Sequence, residues 1–167
     1  MEIVARLLDM AGIGRDRLHL RWVSASEGQL FAKYVTEYTE AIEQLGPFDP
    51  VKFELSLRAL ESTLKTPRVR WLLGIGRSLT HNENVYKEKL KEEDYDNLLK
   101  KVLEEEYHKA LVLEVIQGRP SSVREISGKI GLPVYTVSLR LNELERSGQA
   151  ELKEYDGTTP LFIGLAA

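Results

Sequence analysis

Three histidines, His19, His81 and His108, are the only imidazoles in the chain, and cysteine is absent. His108 follows Glu104 and Glu105 at helical spacing, and a Glu-x-x-His pair on a helix can ligate a metal ion. One such pair gives too few ligands without matching donors from a second helix, so the spacing reads as a solvated, charged helix face. Gly12-Ile13-Gly14 and Gly74-Ile75-Gly76 raise a nucleotide-binding loop, which needs its glycines in a turn between a strand and a helix. The first run precedes an extended stretch instead of following one. The second sits in a helical context, with Leu79 where a third glycine belongs. Neither qualifies. No serine, histidine and carboxylate set suggests a nucleophile with its base. The chain is therefore read as holding no active site, no metal and no cofactor of its own.

Binding chemistry is better represented than catalytic chemistry, and it concentrates between Leu18 and Pro47. Leu18, Leu20 and Trp22 alternate with His19, Arg21 and Val23, the period of a strand over Leu18 to Ser24. Ser24 and Glu27 are spaced as a capping box, and a helix from Glu27 to Leu45 follows, stopped by Gly46-Pro47. Its stripe is Leu30, Phe31, Tyr34, Val35, Tyr38, Ile42 and Leu45. Upstream, Ile3, Val4, Leu7, Leu8 and Ala11 mark a short helix ended by Gly12. This helix–strand–helix unit has a single strand, with no neighbour in the next hundred residues to pair its N–H and C=O groups. Trp22, Phe31, Tyr34 and Tyr38 form an aromatic group. Core packing is the simpler account of Phe31, while the lone strand suggests that some of this surface is buried against another chain, since aromatic side chains enrich interface cores. Leu20, Trp22, Ser24, Glu27, Phe31, Tyr34 and Tyr38 are the candidate partner-binding residues.

Further on, Asp49-Pro50 reads as an N-cap and first helical residue. Pro67 opens a second helix to about Thr80, and a long helix runs from about Tyr95 to Gly118. Arg58, Lys65, Arg68, Arg70 and Arg77 face only Glu61 locally. They could dock an acidic partner or a phosphate, but the simpler expectation is a solvated face answered by the acidic residues of 92–106. Ser122 and Glu125 form a second capping box, Gly131 closes that helix, and Pro133 opens another to Ser147. Two strands, Ala150 to Tyr155 and Leu161 to Leu165, are expected across Asp156-Gly157.

The run SVREISGKIGLPVYTVSLRLNELERSGQAEL, within residues 107–165, resembles the winged-helix superfamily. If such a module bound DNA, its second helix would present Tyr135, Thr136, Ser138, Leu139, Arg140 and Asn142 to the major groove. Glu143 and Glu145 offset Arg140 and Arg146, and the wing reads Lys153-Glu154-Tyr155-Asp156, so contact with protein is favoured over DNA.

Charge distribution agrees. Residues 1–47 hold 5 basic and 7 acidic side chains, residues 48–106 hold 11 and 12, and residues 107–167 hold 7 and 7. No segment has the basic excess that drives phosphate binding by counterion release. No apolar run reaches membrane-span length and no signal-peptide pattern opens the chain, which points to a cytoplasmic protein.

Residues 7–47, above all RWVSASEGQLFAKYVTEYTEAIEQLGP, resemble the C-terminal end of the delta subunit of methyl-viologen-reducing hydrogenase. That family of iron–sulfur proteins passes electrons between a hydrogenase or another dehydrogenase and heterodisulfide reductase in anaerobes. Some members continue into a helical segment and a winged helix. This chain departs from the family in lacking its cysteine-bearing part, so the resemblance implies a place in such an assembly without a cluster on this polypeptide.

The expected fold is mainly α (α+β): a helix–strand–helix unit over 1–47, a helical connector over 48–106 and a winged helix over 107–167. The expected role is a non-catalytic subunit or assembly module binding cysteine-rich iron–sulfur or flavin redox subunits, with a homodimer also open. The alternative is a winged-helix transcriptional regulator. A third reading is a split remnant of the delta subunit.

Overall fold

The computed structural model describes residues 2–165, which form two compact units divided between Glu54 and Leu55. In the first unit α1 (Glu2–Met10) ends where Gly12, at φ 71°, lets the chain turn. Asp9 ties the turn down: its carboxylate accepts from Arg15 N at 2.7 Å and Arg15 Nε at 2.6 Å. The Arg15 side-chain hydrogen bond holds Asp9 below the ordinary carboxylate range. A 3-10 turn, Arg15–Arg17, leads into the segment from Leu18 to Ser24.

That segment corrects the expected strand. It is extended at Leu18 (φ −137°, ψ 109°) yet joins no ladder among the described residues. A strand needs a neighbour, and among the described residues the one sheet is a two-stranded ladder that does not include this segment. The capping box at Ser24 is also half formed. Ser24 N donates to Glu27 Oε2 at 2.8 Å, but the Ser24 hydroxyl meets Ser26 Oγ at 3.1 Å instead of capping the helix. Consequently α2 (Gly28–Leu45) starts after Glu27, which is its N-cap without a side-chain hydrogen bond.

The next helix, α3 (Glu54–Lys65), begins later than Asp49-Pro50 implied. Asp49 Oδ1 does accept from Val51 N and Lys52 N, at 3.0 and 3.1 Å, but it caps a turn and not the helix. In the second unit α4 (Pro67–His81) opens as expected, with Thr66 Oγ1 accepting from Val69 N at 3.4 Å and proline at the first position. The long α5 (Glu92–Gly118) starts ahead of Tyr95 because Glu92, Glu93 and Asp94 suit the positive end of a helix dipole. It runs unbroken across the 106/107 boundary drawn from sequence.

Around α5 pack α4, α6 (Val123–Ile130), α7 (Val134–Arg146) and the hairpin β1 (Ala150–Asp156)–β2 (Thr159–Gly164). The Ser122–Glu125 box is complete: Ser122 Oγ accepts from Glu125 N at 3.3 Å, and Ser122 N donates to Glu125 Oε2 at 2.8 Å. Val112, Val115, Ile116, Ile126, Val137, Leu141, Leu144 and Ala150 form the core. In the hairpin Asp156 pairs with Thr159, so the loop is Gly157-Thr158, one residue later than expected. Gly157 carries the positive φ, 60°, that the first position of such a loop requires. Ser121 bridges Phe162 and ties the end of α5 to β2. The chain is thus mainly helical with one small antiparallel hairpin, matching the expected class. No helix among the described residues is long and apolar enough to cross a membrane.

Candidate functional site

Period-two alternation divides the extended segment of the first unit into two faces. Its odd residues turn toward α2. Arg17 donates to the carbonyls of Gly46 (3.1 Å) and Leu45 (3.0 Å), capping the C-terminus of α2. Tyr38 Oη donates to Arg17 O at 2.8 Å, and the His19 and Tyr38 rings lie 4.8 Å apart. The Arg21 guanidinium sits 5.4 Å from the centre of the Tyr34 ring, within cation–π range. Between segment and helix lies a groove of about 200 Å³ lined by His19, Arg21, Val23, Phe31, Tyr34 and Tyr38, with Val35 and Glu37. Phe31, Tyr34 and Tyr38 therefore share the lining of one groove. His19, Arg21 and Val23 are lining residues that the sequence reading passed over, although the same alternation would have found them.

The even residues face outward. Trp22 is 87% exposed and Leu20 50%, and Leu18 is exposed beside them. Ser24 and Glu27 sit in the turn before α2, removed from the groove lining. No residue of α2 is buried, and Phe31 is 60% exposed, so core packing does not account for that ring. In the whole first unit only Leu7 and Ala11 are buried among the described residues. A piece of this length with two buried side chains has almost no core, while its aromatic and aliphatic groups stand open.

The second candidate site, on α7, separates differently. Tyr135, Ser138 and Asn142 are exposed and Thr136 is half-buried. Arg140 is 8% exposed, its Nη1 donating to Glu143 Oε1 and Oε2 at 2.7 and 2.8 Å. The structure thus withdraws Arg140 from the groove-reading surface. Its position at i+3 from Val137 turns it toward α5, a consequence of helical phase that residue type alone did not reveal. The ion pairs continue inward: Glu143 lies 3.7 Å from Lys109 Nζ, which donates to Glu106 at 2.9 Å, and Arg68 reaches Glu106 at 3.3 Å and Glu105 at 2.8 Å. Glu106 is itself buried. Arg68 is therefore answered by α5, as the acidic stretch 92–106 suggested.

His108 shares this region without metal-binding company: among the described residues no group of three histidines or carboxylates could hold an ion. Burial pushes its imidazole below the ordinary 6.5, Glu104 opposing and Arg140 adding to the shift. The unfolded imidazole then takes up its proton at higher pH than the folded one. Stability gained from His108 is full above pH 6.5 and declines as pH falls below it. Urea midpoints should drop between about pH 7.5 and about pH 5.5, and His108→Gln should flatten that drop. The carboxylates held low, Glu61 by Lys65 and Glu125 by Ser122, lose their contribution only at lower pH, as the solution passes below 4.5.

Against known proteins the first unit is informative. Residues 1–46 match the family model described as methyl-viologen-reducing hydrogenase, delta subunit. Over 53 residues the chain is 43% identical to an iron-sulfur subunit of the F420-non-reducing hydrogenase of Archaeoglobus profundus, covering 32% of this chain and 36% of that protein. It is 45% identical over 52 residues to the vhu iron-sulfur subunit of the F420-non-reducing hydrogenase of Methanocaldococcus jannaschii, covering 31% and 38%. A third similarity, 30% over 66 residues, is to one of the subunits of the ferredoxin:CoB-CoM heterodisulfide reductase of Methanosarcina mazei, covering 39% of this chain and 8% of that one. The chain thus spans little more than a third of the two hydrogenase relatives. No solved structure matches it. The groove and the outward apolar residues all fall inside the matched span.

Proposed function

We propose that the chain is a non-catalytic subunit or assembly module of a cytoplasmic electron-transfer complex linked to hydrogenase and heterodisulfide reductase in an anaerobe. Its first unit docks on cysteine-rich iron–sulfur or flavin subunits, which carry the redox groups. One observation carries this reading: among its described residues the matched unit buries only Leu7 and Ala11 and leaves Trp22, Leu20 and Phe31 open. Those side chains and the extended segment, which joins no ladder among the described residues, find their partners in another polypeptide, as a strand added to the edge of a sheet. Leu20 and Trp22 face that partner, and Phe31, Tyr34 and Tyr38 provide the groove beneath. Ser24 and Glu27 hold the turn between the two.

The arrangement of α6, α7 and the hairpin supports a winged-helix reading of the second unit, used for protein contact. Val134, Tyr135 and Leu139 are open on α7 while Arg140 is inside, the reverse of what a phosphate or base contact asks. The regulator alternative thereby loses its principal cationic contact.

The test is affinity capture of the full-length chain from its native host grown anaerobically, followed by mass spectrometry. The parent chain should bring down cysteine-rich redox subunits in near-stoichiometric amounts. The Leu20→Glu/Trp22→Glu variant should recover at least tenfold less while keeping its helical circular dichroism. Equal recovery by both would sink the docking assignment.

A further inference from the structure

The outer face of α4 plays no part in that docking. Between Glu61 and Glu83 the chain has no carboxylate but carries Lys65, Arg68, Arg70 and Arg77. The structure shows that these cations are not equivalent. Arg68 is held by Glu105 and Glu106, and Lys65 by Glu61. Arg70 and Arg77 are exposed and meet no carboxylate among the described residues. They stand seven residues apart, two helical turns and about 10.5 Å along one face. Gly74 lies between them, and Trp71, 64% exposed, flanks them.

The two glycines of α4 distinguish an internal from an external use. Gly76 is buried, and a Cβ there would come within 2.6 Å of Tyr95 Cζ. The Tyr95 hydroxyl donates to Leu72 O at 3.1 Å, so Gly76 is the notch that lets α5 lie against α4. Gly74 is exposed, its missing Cβ would meet nothing within 4 Å, and glycine weakens a helix interior. Among the described residues no neighbour requires it. A glycine between two unpaired arginines leaves a shallow seat where another backbone can come close.

We infer that Arg70, Trp71, Gly74 and Arg77 form a docking face for an acidic α-helix of another polypeptide. Carboxylates spaced two turns apart on such a helix match the two guanidinium groups, and Trp and Arg are the side chains that dominate protein interfaces. A nucleic acid fits less well. Residues 55–167 carry 17 basic and 17 acidic side chains, so no wider positive field surrounds the pair. This face is independent of the first unit's role.

The chain has two tryptophans, so full-length Trp22→Phe makes Trp71 the sole indole reporter. The probe is a synthetic three-heptad helical peptide with glutamates at i, i+4 and i+7. The controls are the same peptide with lysine in their place and a short DNA duplex. The acidic peptide should give a saturable change in Trp71 fluorescence that weakens with added salt. Affinity should fall at least tenfold in Arg70→Glu/Arg77→Glu and in Gly74→Gln, each with unchanged circular dichroism. Gly74→Gln fills the seat without altering charge or touching the interior, so it separates docking from loss of fold. Absence of binding, equal binding by the variants, or tighter binding of the duplex than of the acidic peptide would each overturn the assignment.

Discussion

Ile116→Ala is expected to lower the stability of the second unit by about 3 kcal/mol, which corresponds to a fall of roughly 12 °C in Tm. Ile116 is fully buried on α5 beside Val112, Ile126, Val137, Leu141 and Leu144. Truncation removes three carbons from apolar contact and leaves a cavity among close-packed branched side chains that cannot collapse into it. Trp22→Ala removes far more apolar surface, yet it should change stability by no more than about 0.5 kcal/mol, because that ring is 87% exposed. The contrast separates two uses of hydrophobic side chains in one chain. Those of the second unit fold it, and those of the first stand open, as the proposed docking requires. Differential scanning calorimetry of both variants checks the pair. A large loss of stability in Trp22→Ala would mean that the ring serves the fold, and the docking assignment would have to be given up.

The same contrast explains how much of the molecule can be read from its residues. Where a signal is closed locally, it transfers directly to structure. The Ser122–Glu125 box forms both of its hydrogen bonds, and Pro67 behind Thr66 opens α4. Where a signal needs a partner outside the segment, it fails or shifts. Leu18 to Ser24 has the alternation of a strand but no ladder, because pairing depends on another strand and none is at hand. Locality does not always suffice: Ser24 and Glu27 have the spacing of a capping box, yet the Ser24 hydroxyl meets the neighbouring Ser26, and half of the box is lost. The seven aromatic and aliphatic positions of α2 have helical phase, but phase shows which residues share a face and not whether anything covers it. At the candidate sites the limit is similar. Phe31, Tyr34 and Tyr38 were legible as one stripe, whereas Arg140 was not legible as interior, since its burial comes from α5 and from Glu143.

Removing Glu143 should cost the second unit more than removing Arg140, although the two form one ion pair. Arg140 Nη1 binds both Glu143 oxygens, while its Nε is buried without a hydrogen-bond partner. The pair is thus imperfect, and its desolvation is only partly offset. Arg140→Met keeps an unbranched apolar stem, removes the orphaned donor and leaves the half-buried Glu143 with Lys109 at 3.7 Å. Stability should stay within about 1 kcal/mol of the parent or rise. Glu143→Ala instead strands a guanidinium that is 8% exposed, and a loss of about 3 kcal/mol is expected. Urea unfolding of the two single variants and of the double variant measures the coupling directly. If Arg140→Met proved the more damaging, the guanidinium would be holding α7 against α5, and its value would lie in packing rather than in pairing. The same variant bears on the role of α7. Since Arg140 is already spent inside, Arg140→Met should leave every partner of the exposed Tyr135 face bound as before. Loss of a duplex DNA complex in that variant would return the helix to nucleic-acid recognition.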